Sequence, residues 1–255
     1  GSGKSSLMKG EIYPRMQKGK DFSEVILVDQ LPIGKTSKSI VSTYIGIMDS
    51  IRAAYAATEE AIREQLDEKY FSFNTELGQC ATCKGDGRIK LKYLENSYIP
   101  CQDCNGKRYQ KQILKIPYQE KNIDEVLNMS IVEAIAFWAE SEEIVSKLQS
   151  LQKVGLGYLK LGQNTSTLSG GEASRLKLAK ELMGRKKTKV LYLLDEPTSG
   201  LHFSDVDHLL ELISELIHNG NTVIAIEHNK QFIGSSDWSI ELGPGAGKDG
   251  GKVMH

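Results

Sequence analysis

Val190 to Leu194 reads V-L-Y-L-L, a run too short for an independent helix and suited to the central strand of a sheet. It delivers Asp195 and Glu196 at its carboxyl end, where open α/β sheets bind their ligands. Upstream, Leu168-Ser169-Gly170-Gly171-Glu172 places a hydroxyl and two small residues where a helix begins. Backbone N–H groups are unpaired at such a start, which suits it to an anion. Thr167 to His202 is therefore read as a capped helix, a short basic turn, a buried strand and an acidic pair. That combination points to phosphate, a metal ion and an activated water.

The chain opens with Gly1-Ser2-Gly3-Lys4-Ser5-Ser6, the end of a phosphate-binding loop of the form G-x-x-x-x-G-K-[ST]. In that pattern glycines let backbone N–H groups approach phosphate oxygens, the lysine reaches the terminal phosphates and the hydroxyl meets Mg²⁺. By itself a flexible leader reads the same way; beside Asp195 and Glu196 the phosphate loop is favoured. The strand expected before it is missing, so the nucleotide-binding core is read as truncated at its first strand, in a piece of a larger protein. Val25 to Val28 is expected to be another short buried strand, followed by Asp29 and Gln30, a glutamine placed to touch a metal or an attacking water. Ser204 is expected to cap a helix ending near His218, with Val206, Leu209, Leu210, Ile213, Leu216 and Ile217 in the i, i+3, i+4, i+7 pattern and Gly220 just beyond its end. Thr222 to Ile226 is the next strand, with Glu227 and His228 after it, and Trp238 to Leu242 a last one. Strand, helix, strand with short links implies a parallel sheet with right-handed crossovers.

Between these parts the character changes. Ile51 to Tyr70 reads as one or two amphipathic helices bearing Ile51, Ala54, Tyr55 and Ile62. All four cysteines fall between residues 80 and 104, as Cys80-x-x-Cys83 and Cys101-x-x-Cys104, with seventeen residues between the pairs. This spacing matches a structural four-cysteine zinc site, with no ligand position left for catalysis. Two unrelated disulfides are the alternative. Arg88 to Tyr93 alternates, as an arm returning through Tyr98 to Pro100 would. Residues 80–115 carry eight basic side chains (Lys84, Arg88, Lys90, Lys92, Lys107, Arg108, Lys111, Lys115) against Asp86, Glu95 and Asp103, an excess of five. Tyr93, Tyr98 and Tyr109 among them could stack on bases; a solvated surface on a metal knuckle would look similar. Ser130-x-x-Glu133 is a capping box opening a helix through Phe137 and Trp138, and Ser141 caps another.

Composition bounds the alternatives. The 255 residues, 40% hydrophobic, can bury one or two domains. A net charge of −1 provides no overall basic field, so any nucleic-acid surface is local. No apolar run approaches the ~20 residues of a membrane span and no signal peptide is visible, so the expected location is cytoplasmic, with no membrane partner.

Taken in order, G-S-G-K-S-S, the post-strand Gln30, L-S-G-G-E, L-L-D-E-P-T-S-G-L-H and I-E-H-N resemble the ATP-binding-cassette ATPases. V-D-Q-L-P-I-G-K-T, F-S-F-N, C-x-x-C-K-G-D-G-R-I-K, Y-I-P-C-x-x-C-N-G-K-R-Y, L-G-Q-N-T-S-T-L-S-G-G-E-A and I-E-L-G-P-G are similar to the second half of the UvrA family of DNA-damage sensors, over nearly the whole chain. The resemblance implies an ATP-binding core at 1–30 and 189–255 and a helical signature domain inserted at 31–188, which includes a zinc-binding insertion at 72–118. It implies ATP, Mg²⁺ and Zn²⁺ as cofactors. Gly1, Ser2, Gly3, Lys4, Ser5 and Ser6 would hold the nucleotide phosphates and Mg²⁺, and Asp195 would be the Walker B metal partner. Glu196 would orient or deprotonate the attacking water, with Gln30 as the Q-loop residue and His228 as the switch histidine. Ser169, Gly170 and Gly171 would close over ATP on a second cassette, and Cys80, Cys83, Cys101 and Cys104 would hold zinc.

The family hydrolyses ATP, dimerises, binds damaged duplex DNA and hands it to a UvrB-like helicase partner; the isolated fragment, holding half of each of two sites, is expected to be idle. Leu31 in place of serine, Lys35 to Tyr44 in place of a proline-rich loop, and Ser174 in place of glutamine depart from the family pattern. They leave open a UvrA-like paralogue associated with drug resistance. C-x-x-C-x-G-x-G also resembles the cysteine-rich repeats of DnaJ chaperones, so a protein-interaction platform is the second reading of the module. A transporter's ATPase subunit is disfavoured by the inserted module.

Overall fold

The computed structural model describes residues 3–34, 36, 38–91, 97–183, 187–243, 245 and 251–254. Gly1 and Ser2 of the phosphate loop, Lys35, Ser37, Lys92, Tyr93, Glu95, the turn residues Gly184, Arg185 and Lys186, and Pro244 lie outside the described residues. Among the described residues seven strands follow in chain order: β1 (Glu24–Val28), β2 (Arg88–Lys90), β3 (Tyr98–Pro100), β4 (Val190–Asp195), β5 (Thr222–Ile226), β6 (Leu242–Gly243) and β7 (Lys252–Val253). The chain forms two compact units: residues 1–32, 149–157 and 168–255 in one, and 33–148 and 158–167 in the other. Residues 149–157 and the helix Gly170–Leu182 thus fall with the sheet, although both lie inside the 31–188 segment expected to form the signature domain.

In the first unit β4 lies between β1 and β5, and both pairings are parallel. Every residue of β4 is buried, as a strand with neighbours on both edges and cover on both faces must be. Leu191 and Leu193 point to one face, where they join Met8 and Ile226 in a core cluster with Ile12, Tyr13, Met16, Phe22, Val25 and Leu27 packed against it. Val190, Tyr192 and Leu194 occupy the other face and are equally buried. The helix over the first face starts at Lys4, widens into a π turn at Met8–Ile12 and continues as Tyr13–Lys18. Pro14 accounts for the widening: it has no N–H, and its ring would strike the carbonyl four residues back in a regular α-turn. The Tyr13 N–H accordingly bonds to Met8 O, five residues back.

Several expectations need correction. Val25 to Val28 is strand but mostly half-buried, because β1 is an edge; only Val28 is fully covered. Helix Phe203–His218 starts one residue before Ser204, and the cap expected of that side chain lies outside what the structure describes. Leu212 joins its buried face, whereas Ile217 is exposed. Trp238 to Glu241 is not strand: Trp238 is 83% exposed, and only Leu242–Gly243 pairs, antiparallel, with β7. Ile51 and Tyr55 are buried on helix Met48–Ala56, but Ile62 is exposed because a new helix, Glu59–Arg63, starts at the Thr58 cap and buries Ala61 instead.

Asn221 locks the start of β4. Its Oδ1 accepts from Val190 N at 3.0 Å, and its Nδ2 donates to Lys187 O at 3.1 Å and Leu216 O at 3.0 Å, all in a buried setting. In the second unit Tyr55, Phe71, Tyr118, Phe137 and Trp138 form a chain of ring contacts with centroids 5.0–6.1 Å apart. Asn221→Ala strands one buried donor and two carbonyls and should cost about 2 kcal/mol. A denaturant midpoint unchanged from wild type would contradict that account.

Candidate nucleotide site and cysteine centre

Parallel pairing brings the carboxyl ends of three strands to one edge. Val28 is the register partner of Leu194, and Asp195 of Ile226, so Gln30, Glu196 and His228 emerge side by side. Gln30 Nε2 donates to Glu196 Oε2 at 3.3 Å, and His228 Nε2 lies 3.9 Å from Glu196 Oε1. His228 is two residues past the partner of Asp195 and its side chain is exposed. Asp195 is nearly buried; its Oδ1 accepts from the Ser5 hydroxyl at 3.2 Å, and its Oδ2 pairs with Lys9 at 2.8 Å. Gly3 caps the first helix in a left-handed conformation, φ 86°, which only glycine adopts without strain.

Glu196 itself is held at φ 49°. Its N–H donates to Ile226 O at 2.9 Å, and its carbonyl accepts from Ser199 N at 3.1 Å across a turn with Pro197 at the second position. A non-glycine residue at positive φ costs of order 1–3 kcal/mol and survives only where its surroundings over-determine it. Glu227 supplies part of that surrounding. Its Oε1 accepts from Thr198 N at 2.7 Å and its Oε2 from His228 N at 2.9 Å and Asn229 N at 3.2 Å, tying the loop after β4 to the loop after β5.

The signature segment packs against the same strand-end loops. Ser169 and Glu172 form a reciprocal capping box at the start of helix Gly170–Leu182, with Ser169 N donating to Glu172 Oε2 at 2.7 Å. A Cβ added at Gly170 would meet Gln30 Oε1 at 2.9 Å, and one at Gly171 would meet Ser199 O at 2.3 Å. These positions are small because the helix start presses directly on Gln30 and on the loop after β4. The helix is pinned further along on two sides: Arg175 Nη1 donates to Ser199 O at 2.6 Å, and Lys177 Nζ donates to Asp29 Oδ1 at 2.5 Å and to Leu31 O at 2.8 Å. Sequence reasoning missed Lys9, Arg175, Lys177 and Glu227. Lys9 and Glu227 flank motif residues and Arg175 and Lys177 follow L-S-G-G-E, but no spacing rule marks a residue whose role is a long-range contact.

In the second unit the four cysteine sulfurs all lie within 4.8 Å of one another. Cys80 and Cys101 Sγ are 4.0 Å apart, and Cys83 and Cys104 Sγ 3.7 Å. Four thiolates at a tetrahedral zinc–sulfur distance of about 2.3 Å would be about 3.8 Å apart, so the donor set fits. The two knuckles repeat one device: Lys84-Gly85 and Asn105-Gly106 each put two consecutive residues at positive φ, turning the chain back around the sulfurs. The fold binds them together through Cys80 N to Arg108 O at 2.7 Å and Cys101 N to Gly87 O at 2.9 Å. Burial, reinforced by the Cys83 and Cys101 thiols, pushes the Cys104 thiol up to about 12 against the lowering effect of the Arg108 backbone. A metal ion would offset that penalty by stabilising the thiolate.

β2 and β3 pair antiparallel as the expected arm. Arg88 lies over the Tyr98 ring, 4.3 Å from its centroid. Tyr109 cannot stack on a base: it is 1% exposed, its hydroxyl donates to Phe71 O at 3.3 Å, and its ring packs edge-on against Phe73. Arg108 is partly covered, with its guanidinium over Phe73. Among the described residues no helix is long and apolar enough to cross a membrane.

A parallel sheet with a phosphate-loop helix start, a strand-end acidic pair and a capped signature helix defines an ATP-binding-cassette domain, and the family described as "ABC transporter" matches residues 81–199. The chain is 42% identical over 273 aligned residues to UvrABC system protein A of Clostridium tetani, covering 100% of this chain and 29% of that protein. It is 46% identical over 244 residues to the same protein of Vibrio cholerae, covering 95% and 26%. The crystal structure of UvrA2 from Deinococcus radiodurans superposes with a TM-score of 0.90 at 40% identity, over 100% of this chain and 33% of that one. Over its whole length the chain is similar to the UvrA proteins among the ATP-binding-cassette ATPases, and it spans about a third or less of the length of these relatives.

Replacing Lys177 with Met removes the cation that anchors the signature helix to Asp29 and Leu31. It should lower stability by about 1–3 kcal/mol, read as a lower unfolding midpoint, and an unaltered midpoint would argue that the anchor is dispensable.

Proposed function

We propose that this chain is the nucleotide-hydrolysing, DNA-engaging part of a UvrA-type ATPase acting in recognition of damaged DNA for nucleotide excision repair. The observation that carries the reading is the convergence of Ser5, Gln30, Asp195 and Glu196, with Ser5 and Asp195 190 residues apart in sequence, at the carboxyl edge of one parallel sheet. Oxygen donors from Ser5 and Asp195 are the set a hard cation such as Mg²⁺ takes, and they fit it. When bound, MgATP supplies the γ-phosphoryl group and the charge neutralisation that its transfer to water needs.

The chain's own residues do the rest. Gly1, Ser2, Gly3, Lys4, Ser5 and Ser6 hold phosphate oxygens. Glu196, locked at the turn after β4, accepts a proton from water or orients it, and Gln30 holds the Glu196 carboxylate in place. His228 is positioned beside that carboxylate to contact the terminal phosphate. Ser169, Gly170 and Gly171 serve a nucleotide on a second cassette, which makes the sites composite, and the full-length protein is a homodimer. Because the helix start presses on Gln30, closure of the signature segment would be felt at Glu196. Cys80, Cys83, Cys101 and Cys104 hold a structural zinc ion in a module inserted before the signature helix. The basic hairpin beside the zinc engages duplex DNA, and hand-over is to a UvrB-like partner in the cytoplasm. A drug-resistance paralogue is the alternative use of the same machinery, and a protein-interaction platform the alternative use of the module.

Three measurements test this reading. In the full-length protein Glu196→Gln should reduce ATP turnover by about 10²–10⁴-fold while ATP binding persists; turnover near wild type would sink the assignment. The purified, reduced protein should carry about one equivalent of zinc, and Cys104→Ser should release it; a fully folded protein without metal would refute the centre. Lys90→Glu, Lys107→Glu and Lys111→Glu together should weaken DNA binding and flatten its salt dependence by about one unit of slope for each phosphate no longer neutralised. Unchanged DNA binding would favour the protein platform.

A further inference from the structure

Lys9 has no place among the motif residues, yet its ammonium is 2.8 Å from Asp195 Oδ2 while Ser5 donates to Oδ1. We propose that Lys9 is a positioning residue that stands in for the divalent cation at Asp195, holding the carboxylate until a metal-bound nucleotide displaces it. This rests on the reading of Asp195 and Ser5 as the metal partners.

The physical case begins with burial. The Asp195 side chain is 8% exposed, and leaving a carboxylate that far from water unpaired is strongly unfavourable. Some cation must accompany it whether or not a metal is present. Ser5 and Lys9 are four residues apart on one helix, hence on the same face, and each engages one oxygen of the same carboxylate. The lysine is suited to leaving. Its side chain is 36% exposed, so it can swing to water on a flexible stem with little desolvation to recover. It also lies in the wide Met8–Ile12 turn, where hydrogen-bond register is least favourable.

Occupation is exclusive. A Mg²⁺ ion needs its oxygen ligands at about 2.0–2.1 Å in octahedral geometry, and a second cation on the same oxygen would repel it. Lys9 therefore competes with free divalent metal but yields to metal delivered with phosphate, whose extra ligands and charge outweigh one ion pair. The site would stay assembled without metal, and metal would enter with its nucleotide.

The test compares wild type, Lys9→Met, Lys9→Arg and Asp195→Asn in the full-length protein. Equilibrium binding of a fluorescent ATP analogue is measured in excess MgCl₂ and in EDTA, and Mn²⁺ binding without nucleotide is followed by electron paramagnetic resonance. Lys9→Met should tighten Mn²⁺ binding, and should raise the ratio of the dissociation constant in EDTA to that in MgCl₂, each by about five- to tenfold. Lys9→Arg, which keeps the charge, should stay within about twofold of wild type. Asp195→Asn should abolish the metal dependence whether it is made alone or together with Lys9→Met. If Lys9→Met leaves both readouts unchanged while Asp195→Asn abolishes them, the role of Lys9 is overturned and the metal-site reading stands. If Asp195→Asn keeps the metal dependence, the metal-site reading fails and the Lys9 proposal with it.

Discussion

The parallel pairing of β4 with both β1 and β5 is the constraint on which the nucleotide site depends. Parallel strands in register release their carboxyl ends at the same edge, and register partners Val28–Leu194 and Asp195–Ile226 set that edge here. Gln30, Glu196 and His228 meet because each follows its strand by one or two residues. The hydrophobic burial of β4, complete along its length, is what makes the edge rigid. A site built on such a strand keeps its geometry without relying on flexible loops.

Backbone groups then turn a set of neighbours into a defined arrangement. Glu196 is held at a positive φ by bonds from its own N–H and carbonyl, and Glu227 gathers three N–H groups from the two adjoining loops. The signature helix is fastened to the loop after β4 by Arg175 and to the loop after β1 by Lys177. Long charged side chains here act as struts between elements, donating to backbone carbonyls and, for Lys177, to the Asp29 carboxylate. A movement at the helix start would be transmitted through atoms already close to van der Waals limits, since Gly170 and Gly171 leave no slack.

The second unit solves a different problem. Its cysteine knuckles have little apolar material of their own; two left-handed pairs and a few inter-knuckle hydrogen bonds bring four sulfurs together. Tyr109 is structural in consequence. Tyr109 has the sequence setting of a base-stacking residue in a basic stretch, but its ring is part of the wall that Phe73 and Arg108 complete. Local composition cannot distinguish an aromatic that faces solvent from one that anchors a knuckle to its core.

The sequence alone determined the elements whose causes are local. The apolar run of β4, the S-x-x-E box at Ser130, the helix start at Ser169, the β2–β3 arm and the paired C-x-x-C spacing were all legible, because each depends on residues within a few positions of one another. The identity of the acidic pair and of Gln30 was legible too, as residue types following strands. Whether a strand is an edge or a centre was not, and this is why the half-cover of β1 and the absence of strand at Trp238 went against expectation. Only the tertiary structure decided the partners: Lys9 on Asp195, Lys177 on Asp29, Asn221 beneath β4, Glu227 across two loops. The nearest of these pairs in sequence, Glu227 and Thr198, is 29 residues apart, and Lys177 and Asp29 are 148 apart. Their energies come from burial and charge in the assembled fold, which no short window of sequence contains.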